Sequence, residues 1–125
     1  LRGLLSEAMQ ALSEQKRQAD TRPIRTAKQY IQEHYADPLT LEWVSNIVGF
    51  SGSYFSSLFK KETGRNFLEY LSEVRMNRAK ELLRETNLSV AEVCVRVGYS
   101  DLKYFTKSFK KATGLKPGEF RKLYS

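Results

Sequence analysis

The stretch Val97–Pro117, VGYSDLKYFTKSFKKATGLKP, decides the fold of this 125-residue chain, because it occurs twice. The earlier copy is Val48–Phe67, VGFSGSYFSSLFKKETGRNF. Gly49 falls on Gly98, Phe50 on Tyr99 and Ser51 on Ser100. Past one extra residue in the second copy, Tyr54–Phe55 falls on Tyr104–Phe105, Phe59–Lys60–Lys61 on Phe109–Lys110–Lys111, and Thr63–Gly64 on Thr113–Gly114. The period is 49 residues before the inserted position and 50 after it. A repeat of this kind constrains architecture before any single motif does.

Each copy reads as two helices joined by a tight turn. Leu41, Val44, Ser45 and Val48 recur at i, i+3, i+4 and i+7, as do Val90, Val93, Cys94 and Val97, so each set occupies one helix face. Thr40 and Ser89 stand at the N-cap positions, and Ser89 with Glu92 spells a capping box. Gly49 and Gly98 stop the first helix of each copy. Ser51 and Ser100 are expected to cap the second, over 52–63 and 101–113, which Gly64 and Gly114 end. That second helix has an apolar stripe (Phe55, Leu58, Phe59; Phe105, Ser108, Phe109) whose place is the core. At about 100° per residue the opposite stripe is Ser53, Ser56, Ser57, Lys60 in one copy and Lys103, Thr106, Lys107, Lys110 in the other. A short helix, a glycine turn and a helix with a basic, hydroxyl-rich outer face describe a helix-turn-helix, whose second helix enters a DNA major groove.

Around the two copies the pattern stays helical. Ile24–Ala36 carries Ile24, Ala27, Ile31 and Tyr35 inward, with Pro23 at its start and Asp37–Pro38 at its end. Asn66 and Glu69 form a capping box for a linking helix, 67–87, whose inward face is Phe67, Tyr70, Leu71, Val74, Arg78, Leu82 and Leu83. About twenty residues at ~1.5 Å each span ~30 Å, close to the ~34 Å of one DNA turn. Arg75 and Arg78 on this helix are expected in salt bridges with Glu69, Glu73, Glu81 and Glu85. Pro117 starts a short final helix to Tyr124. Residues 1–19 form an amphipathic helix with Leu1, Leu4, Leu5, Ala8, Met9 and Leu12 on one side, followed by a polar linker, Gln15–Arg22. Two uses of it stay open: a helix leaning on the domain, or a signalling or dimerising helix from an upstream module. The expected organisation is all-α. Residues 1–22 are helix and linker, 23–66 the first helix-turn-helix subdomain, 67–87 the linking helix, and 88–125 the second subdomain.

Charge points to the partner. The net charge is +7. Residues 1–49 hold six basic and six acidic residues, while 50–125 hold fifteen and eight, so the whole excess lies with the repeated unit. That asymmetry is the footprint of a nucleic-acid binder. Enzyme classes fare poorly: the sequence has no glycine-rich phosphate loop, no His/Cys set at metal spacing and no nucleophile near a histidine. His34 is isolated, and Cys94 falls on an apolar face where burial makes a thiol inert. One cysteine allows no internal disulfide and suits a reducing cytoplasm. No apolar run reaches 18 residues, so no membrane partner is expected. No cofactor or metal is implied.

The residues then resemble a known family, the AraC/XylS-type bacterial transcription regulators, over about 100 residues from Ile24 to Tyr124. The likeness rests on S-x-x-Y-F-S-x-L-F-K-K-E-T-G at Ser51–Gly64 and R-x-x-x-A-x-x-L-L at Arg75–Leu83. It rests further on V-G-Y-S-D-x-x-Y-F-T-K-x-F-K-K-x-x-G-x-x-P at Val97–Pro117. Ser45 and Cys94 stand where such sequences have alanine, and both are small enough for close helix contact. The stretches Ala27–Leu39 and FKKETGRNFLEYL further resemble the output domain of a YesN-type two-component response regulator. A sugar-binding or other sensor domain upstream is the alternative. The resemblance implies sequence-specific double-stranded DNA binding at an operator or promoter, with helices 52–63 and 101–113 in successive major grooves. It implies base reading by Ser53, Ser56, Ser57, Leu102, Lys103, Thr106 and Lys107. Lys60, Lys61, Arg65, Lys110, Lys111 and Lys116 are then phosphate contacts. The further partners implied are RNA polymerase where binding activates, an upstream regulatory domain of the same chain, and a homodimer through the N-terminal helix.

Overall fold

A computed structural model describes residues 22–125 of the chain. Helix α1 covers 22–34, followed by α2 (Leu41–Ile47), α3 (Gly52–Thr63), α4 (Phe67–Glu85), α5 (Val90–Arg96), α6 (Leu102–Thr113) and α7 (Pro117–Tyr124). No strand occurs among the described residues. The amphipathic helix expected over 1–19 lies outside them. The repeat is visible in the lengths: α2 and α5 have seven residues each, α3 and α6 twelve each.

Two cores form, built to one plan. The first gathers Ile24, Ala27 and Ile31 of α1, Val44 of α2, Phe55, Leu58 and Phe59 of α3, and Phe67 and Leu71 from the start of α4. The second gathers Met76, Ala79, Leu82 and Leu83 from the end of α4, Val93 and Cys94 of α5 with Val97 at its C-cap, Phe105 and Phe109 of α6, and Phe120 of α7. Helix α4 therefore closes one unit and opens the next. Its two halves bury different faces: Met76 lies roughly 180° round the helix from Phe67 at about 100° per residue. A single inward stripe, as expected from the sequence, cannot serve both cores. So Arg78, expected inward, is exposed and pairs with Glu81 at 2.8 Å, whereas Met76 and Ala79 are buried.

The expected caps hold in part. Thr40 Oγ1 accepts the Trp43 N–H, and Asn66 and Glu69 satisfy each other's backbone N–H at 2.8 and 3.1 Å. Ser89 accepts from Glu92 N, but the reciprocal bond of a capping box is not made. Ser100 does not cap the second recognition helix. Asp101 does, accepting from Lys103 N and Tyr104 N at 2.9 and 3.3 Å, so the helix starts at 102 and not 101. The extra residue of the second copy places Asp101, not Ser100, in register with Ser51. One helix end also moves: α1 gives way to a turn after residue 34, while α4 ends at Glu85, inside the 67–87 linking segment. Arg22 is already helical, so Pro23 is not where α1 begins.

Two arginines hold helix ends in ways hidden in the sequence, and one of them, Arg75, ties the units together. Arg75, expected in a salt bridge, donates instead from Nε to Tyr35 O (2.7 Å) and from Nη2 to Asp37 O (2.9 Å). Arg121 does the same for the end of α4, donating to Leu83 O (3.1 Å) and Thr86 O (3.3 Å). Each guanidinium thus binds backbone carbonyls at and just beyond the point where a helix stops, and of these Asp37 O also accepts the Leu39 N–H.

Candidate nucleic-acid interface

The recognition helices are set by what lies beneath them. Phe55 and Phe59 under α3, and Phe105 and Phe109 under α6, are fully buried. Phe59 meets Phe67 and Tyr70 edge-on, and Phe109 meets Phe120 edge-on, at centroid distances of 5.3–6.4 Å. Both helices end alike. Thr63 Oγ1 lies 2.7 Å from Phe59 O and accepts Arg65 N–H, while Thr113 Oγ1 lies 2.9 Å from Phe109 O and accepts Leu115 N–H. With the inner face fixed, the polar stripe of each helix has to face outward.

On α6, Leu102, Lys103, Thr106, Lys107 and Lys110 line one shallow groove together with Asp101 and with Lys116, which precedes α7. All four lysines are exposed, Thr106 is half-buried, and Leu102 is 44% exposed. Four lysines against the single Asp101 carboxylate, which also caps the helix, make the groove positive. Lys111 is not part of it. It lies on another flank, beside Glu69, Ser72, Glu73 and Met76 of α4.

On α3 the equivalent surface carries no charge until its last turn. Ser53 and Ser57 are exposed, and Ser56 is half-buried in a groove with Thr40, Leu41 and Phe67. Lys60 and Lys61 are exposed at the helix end. Arg65 is half-exposed and paired with Glu73 of α4. Tyr54 and Tyr104 hold equivalent places on the two helices, 45% and 60% exposed, and were not singled out as contacts from the sequence. Their alignment in the repeat was the available signal.

The remaining chemistry is quiet. Cys94 is buried, its Sγ 3.5 Å from Tyr99 O, and burial first and Asp101 second push its thiol above the ordinary value. His34 Nδ1 lies 3.3 Å from Asp37 Oδ2 and its ring stacks on Tyr30. Among the described residues there is no cluster of metal-ligating side chains, and no helix long and apolar enough to cross a membrane.

Comparison with known proteins agrees with this geometry. A family profile described as a helix-turn-helix domain matches residues 44–123. The arabinose operon regulatory protein of Escherichia coli is 37% identical over 122 residues, which is 97% of this chain and 42% of that protein. The chain spans about a third of the length of other curated regulators it matches. Among solved structures, the C-terminal domain of AraT, a response regulator from Geobacillus stearothermophilus, is 41% identical with a TM-score of 0.79, covering 81% of this chain and 84% of that one. The DNA-binding domain of AdpA in complex with a target DNA has a TM-score of 0.79 at 25% identity, covering 82% of this chain and 92% of that one.

Proposed function

The chain belongs to the AraC-type helix-turn-helix family of transcription regulators, and we propose that it reads double-stranded DNA with two helices of unequal chemistry. Helices α3 and α6 enter successive major grooves. The linking helix α4 has 19 residues, which at ~1.5 Å each is ~28 Å, near the ~34 Å of a DNA turn. The observation that carries the reading is the positive groove on α6, opposite the uncharged hydroxyl face on α3 at equivalent repeat positions. Phosphates supply most of the affinity and base edges the sequence choice. Lys110 and Lys116 beside that groove, Lys60 and Lys61 on α3, Lys111 on the α4 flank, and Arg65 when released from Glu73 are the phosphate contacts. Ser53, Ser56, Ser57, Leu102, Lys103, Thr106 and Lys107 are the base readers, and the Lys103 and Lys107 ammonium groups also neutralise the phosphates that flank their bases. Serine hydroxyls pair with donors or acceptors, and lysine suits guanine O6/N7.

The greater length of the relatives supports a wider role. This domain is the output end of a longer cytoplasmic regulator, coupled to a regulatory domain of the same chain and, where it activates, to RNA polymerase. A homodimer through the residues before α1 extends that reading. The domain itself performs no catalysis. The test is salt. Six to eight neutralised phosphates give log K against log salt a slope of about −5 to −7. A slope near −2 means that one unit binds alone, or that binding is incidental.

A further inference from the structure

The two glycine turns are equivalent in sequence but not in surroundings. Gly49 has φ +79°, and nothing lies within 4 Å of where a Cβ would stand. Gly98 has φ +101°, and a Cβ there would stand 2.9 Å from Arg75 Nε, 2.9 Å from Tyr35 O and 3.1 Å from Ala36 Cα. So the turn of the second unit is pressed against the end of α1, which belongs to the first. Arg75 reaches from α4 into the same place, with Nε on Tyr35 O and Nη2 on Asp37 O. Its guanidinium stacks 5.4 Å over the Tyr99 ring, one residue beyond Gly98. The Tyr35 side chain packs on both cores, and the Ser72 and Tyr99 hydroxyls lie 3.5 Å apart.

Helix α4 alone would join the units by a single rod, free to bend or twist at its middle. The contact at Gly98 adds a second attachment between the units and closes that freedom. We propose that Arg75 and Gly98 act as positioning residues: they lock the second unit against the end of α1 and so fix the spacing of DNA half-sites that the two recognition helices accept. The proposal rests on the two-groove reading above and deepens it. Half-site separation follows the distance between reading helices, at about 3.4 Å per base pair. A hinge at this junction therefore relaxes spacing without changing which bases each helix reads. Arginine is needed because two carbonyls two residues apart are held by one planar fork, which a lysine ammonium cannot reproduce.

Two measurements test this on the 125-residue chain. In the first, spin labels at Glu62→Cys and Ala112→Cys, exposed equivalent sites on α3 and α6, are placed in a Cys94→Ala background and the distance distribution is recorded without DNA. The parent should give one narrow distribution, Gly49→Ala the same, and Arg75→Lys and Gly98→Ala a clearly broader one. In the second, each protein selects binders from a random-sequence duplex library. The parent should return two half-motifs at one spacing. Arg75→Lys and Gly98→Ala should return the same half-motifs spread over about three or more spacings. A destabilised but still locked protein would lose affinity without that spread. If Gly98→Ala fails to fold, Arg75→Lys carries both measurements. No paired motif from the parent overturns the proposal through the DNA reading beneath it. A paired motif whose spacing stays single in both variants overturns the latch itself.

Discussion

In the first unit Gly49 turns the chain in open space, while in the second Gly98 makes the same turn wedged among Arg75, Tyr35 and Ala36. The recognition helices differ in the complementary way: α3 shows serines where α6 shows lysines. One architecture has thus been divided between two tasks. The second unit is wedged against the protein at Gly98, and on our proposal it is also the one held to DNA, through Lys103, Lys107, Lys110 and Lys116. The first is lightly charged and its face chemically permissive. Residues 89–125 hold eight basic and three acidic residues, against seven and five for 50–88, so the charge excess leans the same way.

The largest effects test what the units share. Phe59→Ala and Phe109→Ala should each cost about 3–5 kcal/mol in denaturant unfolding, the usual loss for a buried aromatic. A large cost at one and none at the other would break the equivalence on which the comparison stands. The glycines test where the units differ. Gly49→Ala should cost roughly 1–2 kcal/mol, the strain of a left-handed non-glycine residue. Gly98→Ala adds overpacking worth about 1–3 kcal/mol. Equal melting temperatures for these two variants would remove the wedge. The caps should differ least. Asp101 accepts two N–H groups and Ser51 one, so Asp101→Ala should lose about 1–2 kcal/mol and Ser51→Ala about 0.5–1 kcal/mol. Thermal melts of the two variants side by side would show it.

Much of this was legible in the repeat. Matching Val48–Phe67 with Val97–Pro117 yields both helix-turn-helix units, their buried phenylalanines and their polar stripes, because helical period and glycine stops are local properties. The Asn66–Glu69 box was legible for the same reason. Arg75 was not. Acidic residues two and six positions away (Glu73, Glu69 and Glu81) suggest local salt bridges, but its acceptors are carbonyls 38 and 40 residues distant. Nothing in a one-dimensional pattern reports a carbonyl exposed where another helix ends. Arg121 was missed on the same ground. Asp101 lost its place to Ser100 because a one-residue insertion leaves two adjacent candidates for one cap. The face of α4 was misread because one helix serves two cores, which mixes two apolar stripes into one. Within the site, the wheel placed Lys103, Thr106 and Lys107 together, and the structure adds Lys116 to them and sets Lys111 apart.

The central claim is the division of labour between α3 and α6, and a reciprocal exchange of their faces tests it most directly. Lys103 and Lys107 stand fifty residues after Ser53 and Ser57, in register. The measurement is the salt slope of binding to duplex DNA, selected and random, for Lys103→Ser with Lys107→Ser and for Ser53→Lys with Ser57→Lys. Each lysine that neutralises a phosphate contributes about one to the slope. The first pair should make the slope shallower by about two on both DNAs and weaken selected DNA the more, because base reading is lost with the charge, and the second should steepen it by a similar amount while altering base preference in the other half-site. A slope untouched by the lysine-to-serine pair would contradict the account.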